Sequence, residues 1–337
     1  MTPARRPRWV SWPGLARASA AAAVLVTAVA CGSASTLTAP RLYAYSANPL
    51  YAPAAGLQAG TDHALAAELK TIAQTPSGVW ATGQTGDIAM VASVTAAAAQ
   101  AHAIPVIVAY NPPGRDSCGK LSALPGPSAA GYEQWIGQLA GAIGASHDIV
   151  IVEPDGLPDI VRGCLTPAAS AERYQLLRYA MKKLGGLPHA QVYLDAGNPG
   201  MFTDPAQLAG PLTAAGLRDG RGFSANVSNF GWTADLVTWS QQLEHALGGT
   251  VGAVIDTSRN GRGPYTGPDA PQWCNPPGRA LGPAPRLNPG PAGIDAYLWI
   301  KDPGASDGPC RGGPPAGQYW PAYAAALAQP SQTGENS

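Results

Sequence analysis

The sequence predicts an α/β fold with one parallel sheet or barrel, and three observations predict it. From residue 40 onward, short apolar strands alternate with Gly-, Pro- and Asp-rich loops and Ala-rich helices, the order that winds a parallel sheet. Runs such as Ile149-Val150-Ile151-Val152 are apolar at every position, which suits strands covered on both faces. Carboxylates recur just after those runs, at strand C-termini, where barrels and open α/β sheets gather their chemistry.

The elements follow in order. Residues 1–30 read as an export signal: Arg5, Arg6, Arg8 and Arg17 precede an apolar stretch, 18–30, that is too short to span a bilayer and ends in Ala28-Val29-Ala30. Cys31 comes next, a candidate for lipid attachment, within a linker over 31–44. One domain is expected over 45–330, with 331–337 as a tail. Helices near 61–75 and 87–103 lead to strand 106–110; helix 130–146 leads to strand 149–153, and helix 168–184 to strand 192–195. Helix 204–215 precedes strand 222–227, and helix 234–247 precedes strand 252–256. A Gly- and Pro-rich loop over 261–292, strand 295–300 and helix 317–328 complete the series.

Composition removes several function classes. Lys plus Arg equals Asp plus Glu at 21 each, and only 12% of the 337 residues are charged, so there is no basic footprint for nucleic acid. Setting Cys31 aside leaves Cys118, Cys164, Cys274 and Cys310, an even number that suggests two disulfides in an exported chain; sequence alone allows three pairings. The five His residues are scattered, with no CxxC or HExxH spacing, so neither a metal nor a cofactor is expected. A GxSxG elbow, a P-loop and a dinucleotide fingerprint are all absent.

Strand ends carry the chemistry. Strand 106–110 ends in Tyr110 with Asp116 soon after, strand 149–153 leads to Asp155, and the next strands lead to Asp195 and Asp256. Strand 295–300 runs into Lys301 and Asp307. One such acid is more often a solvated loop residue or a helix cap, but a series converging on one barrel face is not what a merely solvated surface gives. Trp80, Trp232 and Trp273 fall near the same ends. Carboxylates beside aromatic planes make a carbohydrate cleft, in which sugar faces stack on rings while acids work on the glycosidic bond. Glu153, the last residue of its strand, is expected to make a supporting polar contact inside the barrel.

The segments "VAYNPPGRDSCG", "IVEPD", "YLDAG", "ANVSNF", "VIDTSRNG", "WCNPPGRALG" and "AYLWIK" with "SDG" resemble, in order, the serial motifs of glycoside hydrolase family 6, a cellulase family. The resemblance spans roughly 45–328 and lies nearest secreted actinobacterial endoglucanases. It implies a single distorted (β/α) barrel of about seven parallel strands, an active-site cleft at the strand C-terminal ends, and hydrolysis of β-1,4-glucan with inversion. Inversion sets an acid and a base about 6.5–9.5 Å apart, with a water between base and sugar. By resemblance, Asp155 is the general acid, Asp116 keeps it protonated and organises the water, and Asp307 is the residue often proposed as base. Asp195 supports them, and Tyr110 presses the reacting sugar from its relaxed chair. Trp80, Trp273, Lys301, Asn198 and Asn229 fall at substrate-binding positions, and the family's disulfides match Cys118–Cys164 and Cys274–Cys310.

The chain also departs from that pattern. Asn198 stands where the family has His, Met201 where a Trp stacks the leaving-group sugar, and Ala305 where a Glu accepts from sugar hydroxyls. "RDSC" carries one extra residue, so Ser122 or Ala123 falls where the family has its water-handling serine. The leading expectation is an exported, monomeric endo-β-1,4-glucanase, since the short Cys274-to-Cys310 spacing leaves little room for a loop roofing the cleft. Its alternatives are a non-catalytic carbohydrate-binding envelope lipoprotein and a hydrolase of a different β-glycan. The expected partner is a β-glucan, with the membrane reached only through lipid on Cys31.

Overall fold

The computed structural model describes residues 40–48, 63–269 and 271–328. The export signal, Cys31 and the 331–337 tail lie outside the described residues.

Seven parallel strands form the body of one sheet. In chain order they are β2 (Gly78–Ala81), β4 (Val106–Ala109), β5 (Ile149–Val152), β6 (Gln191–Asp195), β7 (Gly222–Ala225), β8 (Gly252–Asp256) and β10 (Ile294–Leu298), and each pairs with the next. β9 (Arg286–Leu287) adds antiparallel to the outer edge of β10. A small ladder joins β1 (Arg41–Leu42) to β3 (Ala103–Ile104). The sheet curls until β2 meets the end of β10, where Gly78 N–H donates to the Trp299 carbonyl (2.8 Å) and the Trp80 indole to that of Ile300 (2.9 Å). Two isolated bonds replace a ladder there, which makes the barrel distorted. Gly78 is required at this seam, because a Cβ would stand 2.2 Å from the Ile300 carbonyl oxygen.

Both strand faces are apolar because both are covered. Val106, Val108, Ile149, Ile151, Tyr193, Val254 and Leu298 fill the barrel. Ile107, Val150, Val152, Leu194, Phe223 and Ile255 face the helices instead. Those helices are α1 (His63–Gln74), α2 (Asp87–Gln100), α3 (Ala129–Ile143), the single turn α4 (Pro158–Val161), α5 (Pro167–Gly185), α6 (Ala209–Ala214), α7 (Thr233–Ala246) and α8 (Pro321–Ala328). Ser128 and Thr166 cap α3 and α5 by accepting from Gly131 and Ala169 N–H, and Pro167 suits the first turn, where its missing N–H costs nothing.

Several boundaries differ from expectation. β2 was not expected, because "GVWA" is only four residues long and begins with Gly. The 204–215 segment is a 3₁₀ turn (Pro205–Leu208) followed by α6, and the last helix starts at Pro321 rather than 317. The strand expected over 222–227 stops at Ala225, since Asn226 takes φ 66°.

Candidate active site

The chain turns sharply at the end of β5. Glu153 and Asp155 both adopt left-handed backbone angles, φ 50° and 63°, uncommon for residues with a Cβ and frequent at functional turns. The reversal at Glu153 breaks the in–out alternation of the strand. Its carboxyl therefore turns not into the barrel, as expected, but toward the helix layer, accepting from the Tyr132 hydroxyl of α3 (2.7 Å) and from Asn111 N–H (3.0 Å). Burial pushes this carboxyl up to about 8. Glu153 thus braces the ends of β4 and β5 against α3.

Asp155 is held by its backbone and left open at its carboxyl. Its N–H donates to Asp195 Oδ2 (3.0 Å) at the end of β6, and Ser224 on β7 fixes the other Asp195 oxygen (3.2 Å). The Asp155 carboxyl makes no hydrogen bond among the described residues. Burial first, then the charges of Asp195, Asp159 and Asp116, raise its pKa well above the carboxylate range, against a smaller opposing pull from Arg162. Burial also lifts Asp195, to about 7.

Asp116 lies on the loop after β4, itself at φ 52°. Its Oδ2 accepts from both the N–H (2.7 Å) and the hydroxyl (3.0 Å) of Ser122, whose oxygen lies 3.0 Å from the Tyr110 hydroxyl. Of the two serine-position candidates, Ser122 is the one joined to Asp116. Arg115 ties the loop down through the carbonyls of Thr82, Tyr110 and Ser122, and its guanidinium lies 5.0 Å from the Tyr110 ring centroid. Gly119 leaves room for this arrangement, since a Cβ would meet Asp116 Oδ1 at 2.3 Å. The Trp80 and Tyr110 rings meet edge to face, 5.4 Å apart.

Asp307 has the opposite electrostatics. Buried Arg259 donates to its Oδ2 (2.8 Å), Lys301 Nζ lies 3.2 Å from its Oδ1, and Asn275 N–H adds a third contact (3.0 Å). Burial works to raise its pKa, but the two cations outweigh burial and hold it below the carboxylate range. Arg259 also bonds the Ser228 carbonyl and lies 4.1 Å from the Phe230 ring centroid. Lys301, expected as a sugar contact, has its ammonium committed to Asp307 and the Ser306 carbonyl.

The remaining expectations divide. Trp273 is an exposed large aromatic, at 37%. Asn198 spends its side-chain oxygen on the N–H groups of Gly200 and Met201, and Asn229 donates to the Val227 carbonyl. Asp256, the further strand-end acid, joins three loops: its oxygens accept from the N–H groups of Ser228, Ser258 and Lys301. Cys118–Cys164 and Cys274–Cys310 are bonded, with Cα separations of 5.3 and 6.2 Å. Asp159 lies close to Cys118 and Cys164, but both sulfurs are spent in the disulfide, so the trio is no metal centre.

Sequence reasoning passed over three buried charges. Arg259 lies inside the quoted "DTSRNG", and Asp159 sits four residues after Asp155 in a second Pro-Asp pair. Arg173 shares the buried face of α5 with Leu176, Leu177, Ala180, Met181 and Leu184, so a charge at an apolar helical position was the available signal.

Comparison with known proteins agrees with this geometry. The model for glycosyl hydrolases family 6 matches residues 39–331. Endoglucanase 1 of Streptomyces sp. (strain KSM-9) is 41% identical over 289 residues, covering 83% of this chain and 77% of that protein. Endoglucanase 1 of Streptomyces halstedii is 40% identical over 262 residues, 75% and 78% of the two chains. The structure of the endoglucanase Cel6 from Mycobacterium tuberculosis, solved with a methyl-cellobiosyl-thio-cellobioside, aligns with TM-score 0.78 and 38% identity over 86% of this chain and 97% of that one. The chain belongs to glycosyl hydrolases family 6; it is a glycoside hydrolase.

Proposed function

We propose that this protein is an inverting endo-β-1,4-glucanase acting on cellulose or related β-glucans, with Asp155 as general acid. The observation that carries the reading is the opposite tuning of two carboxyls on one barrel face. Asp155 is driven to keep its proton by burial and three neighbouring acids, whereas Asp307 is kept ionised by Arg259 and Lys301. Paired carboxyls whose surroundings push their pKa values apart mark the acid and its ionised partner.

In this account Asp155 protonates the departing glycosidic oxygen. Ser122, joined to Asp116 and Tyr110, orients water on the opposite face of the sugar, and ionised Asp307 takes up the proton that this water loses as it attacks the anomeric carbon. Trp80 and Trp273 hold the glycone sugars. Asn198, Met201 and Ala305 change sugar contacts and leave this acid set whole, which favours catalysis over glucan binding alone. The acid set is complete within one chain, so the reading requires no second copy. Residues 1–30 direct export, after which the mature enzyme is either secreted or held at the outer face of the membrane through lipid on Cys31.

Product stereochemistry tests the reading. Proton NMR during hydrolysis of cellopentaose should show the α-anomer first, with mutarotation following. Early accumulation of the β-anomer means retention and defeats it.

A further inference from the structure

We propose that Asp159 is a positioning residue for the hydrolytic reaction, a buried anion that locks the Asp155 turn to the Asp116 loop and helps keep the general acid protonated. The inference rests on the catalytic reading above and extends it to a residue with no part in the expected set.

Asp159 lies in the single turn α4, four residues beyond Asp155, and is 1% exposed. Its N–H donates to the Asp155 carbonyl (2.9 Å), so its backbone closes the turn that presents the acid. Its carboxylate accepts from Ser117 N–H (2.6 Å), the residue after Asp116, and from Cys118 N–H. Its carbonyl accepts from Cys164 N–H (3.0 Å), and the carboxylate lies within 4.8 Å of both sulfurs of the Cys118–Cys164 bridge. One residue therefore joins the acid, its partner loop and the disulfide that ties them. Arg173 reinforces the union from α5, donating to the carbonyls of Gly156, Pro113 and Gly114.

The hydrogen bonds alone do not account for a carboxylate here. Both side-chain contacts come from backbone N–H groups, and an asparagine oxygen would accept from them without burying an anion beside Asp116 and Asp155. Burying charge is costly unless something uses it. Its negative field reaches Asp155, where it acts with Asp195 and Asp116, against Arg162. The groups facing Asp159 itself are Asp155 on its own turn, Asp116 on the β4 loop and Arg173 on α5. Burial raises the Asp159 pKa above its ordinary value, and the Ser117 N–H bond and Arg173 oppose burial in favour of the anion; Arg173 bonds only carbonyls among the described contacts, so it does this without an ion pair that would cancel the charge.

The test is Asp159→Asn in the full-length mature enzyme, which keeps the acceptor and removes the charge. The alkaline limb of kcat/KM on a soluble β-glucan should move to lower pH by about half a unit or more, because a like charge no longer favours the neutral acid. KM and thermal stability should change little. Asp159→Ala, which also releases Ser117, should lower kcat further at every pH. An unmoved alkaline limb in Asp159→Asn, whether the rate is normal or uniformly reduced, overturns the proposal and leaves a structural residue. The proton on Asp155 is read independently by ¹³C NMR of labelled aspartate carboxyls, assigned with Asp155→Asn. If the wild-type protein hydrolyses no glucan, the catalytic reading fails, and an unchanged Asp155 titration in Asp159→Asn refutes this proposal separately.

Discussion

Arg259 decides the charge of Asp307, because its guanidinium is fully buried and bridges that carboxylate to the loop after β7. Arg259→Met should let the Asp307 pKa rise, so the acid limb of the pH–rate profile moves to higher pH; a limb that stays in place shows that Asp307 does not set it. If the hydroxyl orients water as proposed, Ser122→Ala should lower kcat by about tenfold or more with KM nearly unchanged. An effect on KM alone assigns Ser122 to substrate contact. At this scale Asp116, Asp155, Asp195 and Asp307 were expected from the sequence, because each stands in a dense local motif, whereas Asp159 was passed over. The cations were not legible either: Arg259, Arg173 and the commitment of Lys301 to Asp307 depend on loops distant in sequence meeting at one end of the barrel. Glu153 was legible as a supporting group but not in its direction, which a single left-handed φ reverses.

The loops, more than the strands, carry the element-level demands of the site. The Cys118–Cys164 bridge links the Asp116 loop to the segment after α4, over a sequence separation of 46. Replacing both cysteines by serine should cost about 2–4 kcal/mol of stability, read as a fall in denaturation midpoint, and should reduce activity more than stability at moderate temperature. An unchanged midpoint would show that hydrogen bonding alone holds these loops. Strands β4 and β5 were legible as continuous apolar runs, and β6, β7, β8 and β10 from the repeated order of short strand, loop and helix. β2 escaped notice because it is short and opens with Gly: Gly78 is there to pass under the Ile300 carbonyl, and Trp80 to bond it, and both choices serve barrel closure rather than strand propensity.

For the whole molecule, acid chemistry is housed in a barrel that buries several carboxyls, one of them far from the cleft. Asp148, at the N-terminal end of β5, is 1% exposed, and neither carboxyl oxygen has a hydrogen-bond partner. Burial pushes it up to about 7, from an ordinary 3.8. A raised folded-state pKa means the native protein holds a proton that the unfolded chain releases. Stability is therefore full below about pH 4, declines as pH rises toward 7, and above that has lost on the order of 4 kcal/mol from this group. Asp148→Asn should raise the melting temperature more at pH 8 than at pH 5, and an equal gain at both would place the Asp148 pKa in the ordinary range. The family and overall barrel were legible from motif order, whereas this pH liability was not, since only the assembled fold encloses Asp148. The account as a whole stands on Asp155. Reducing-sugar release from carboxymethylcellulose and barley β-glucan should be readily measured for the mature wild-type protein and fall about 10²–10⁴-fold in Asp155→Asn, with the fold intact by circular dichroism. Equal release by the two proteins would contradict the assignment of Asp155 as the acid.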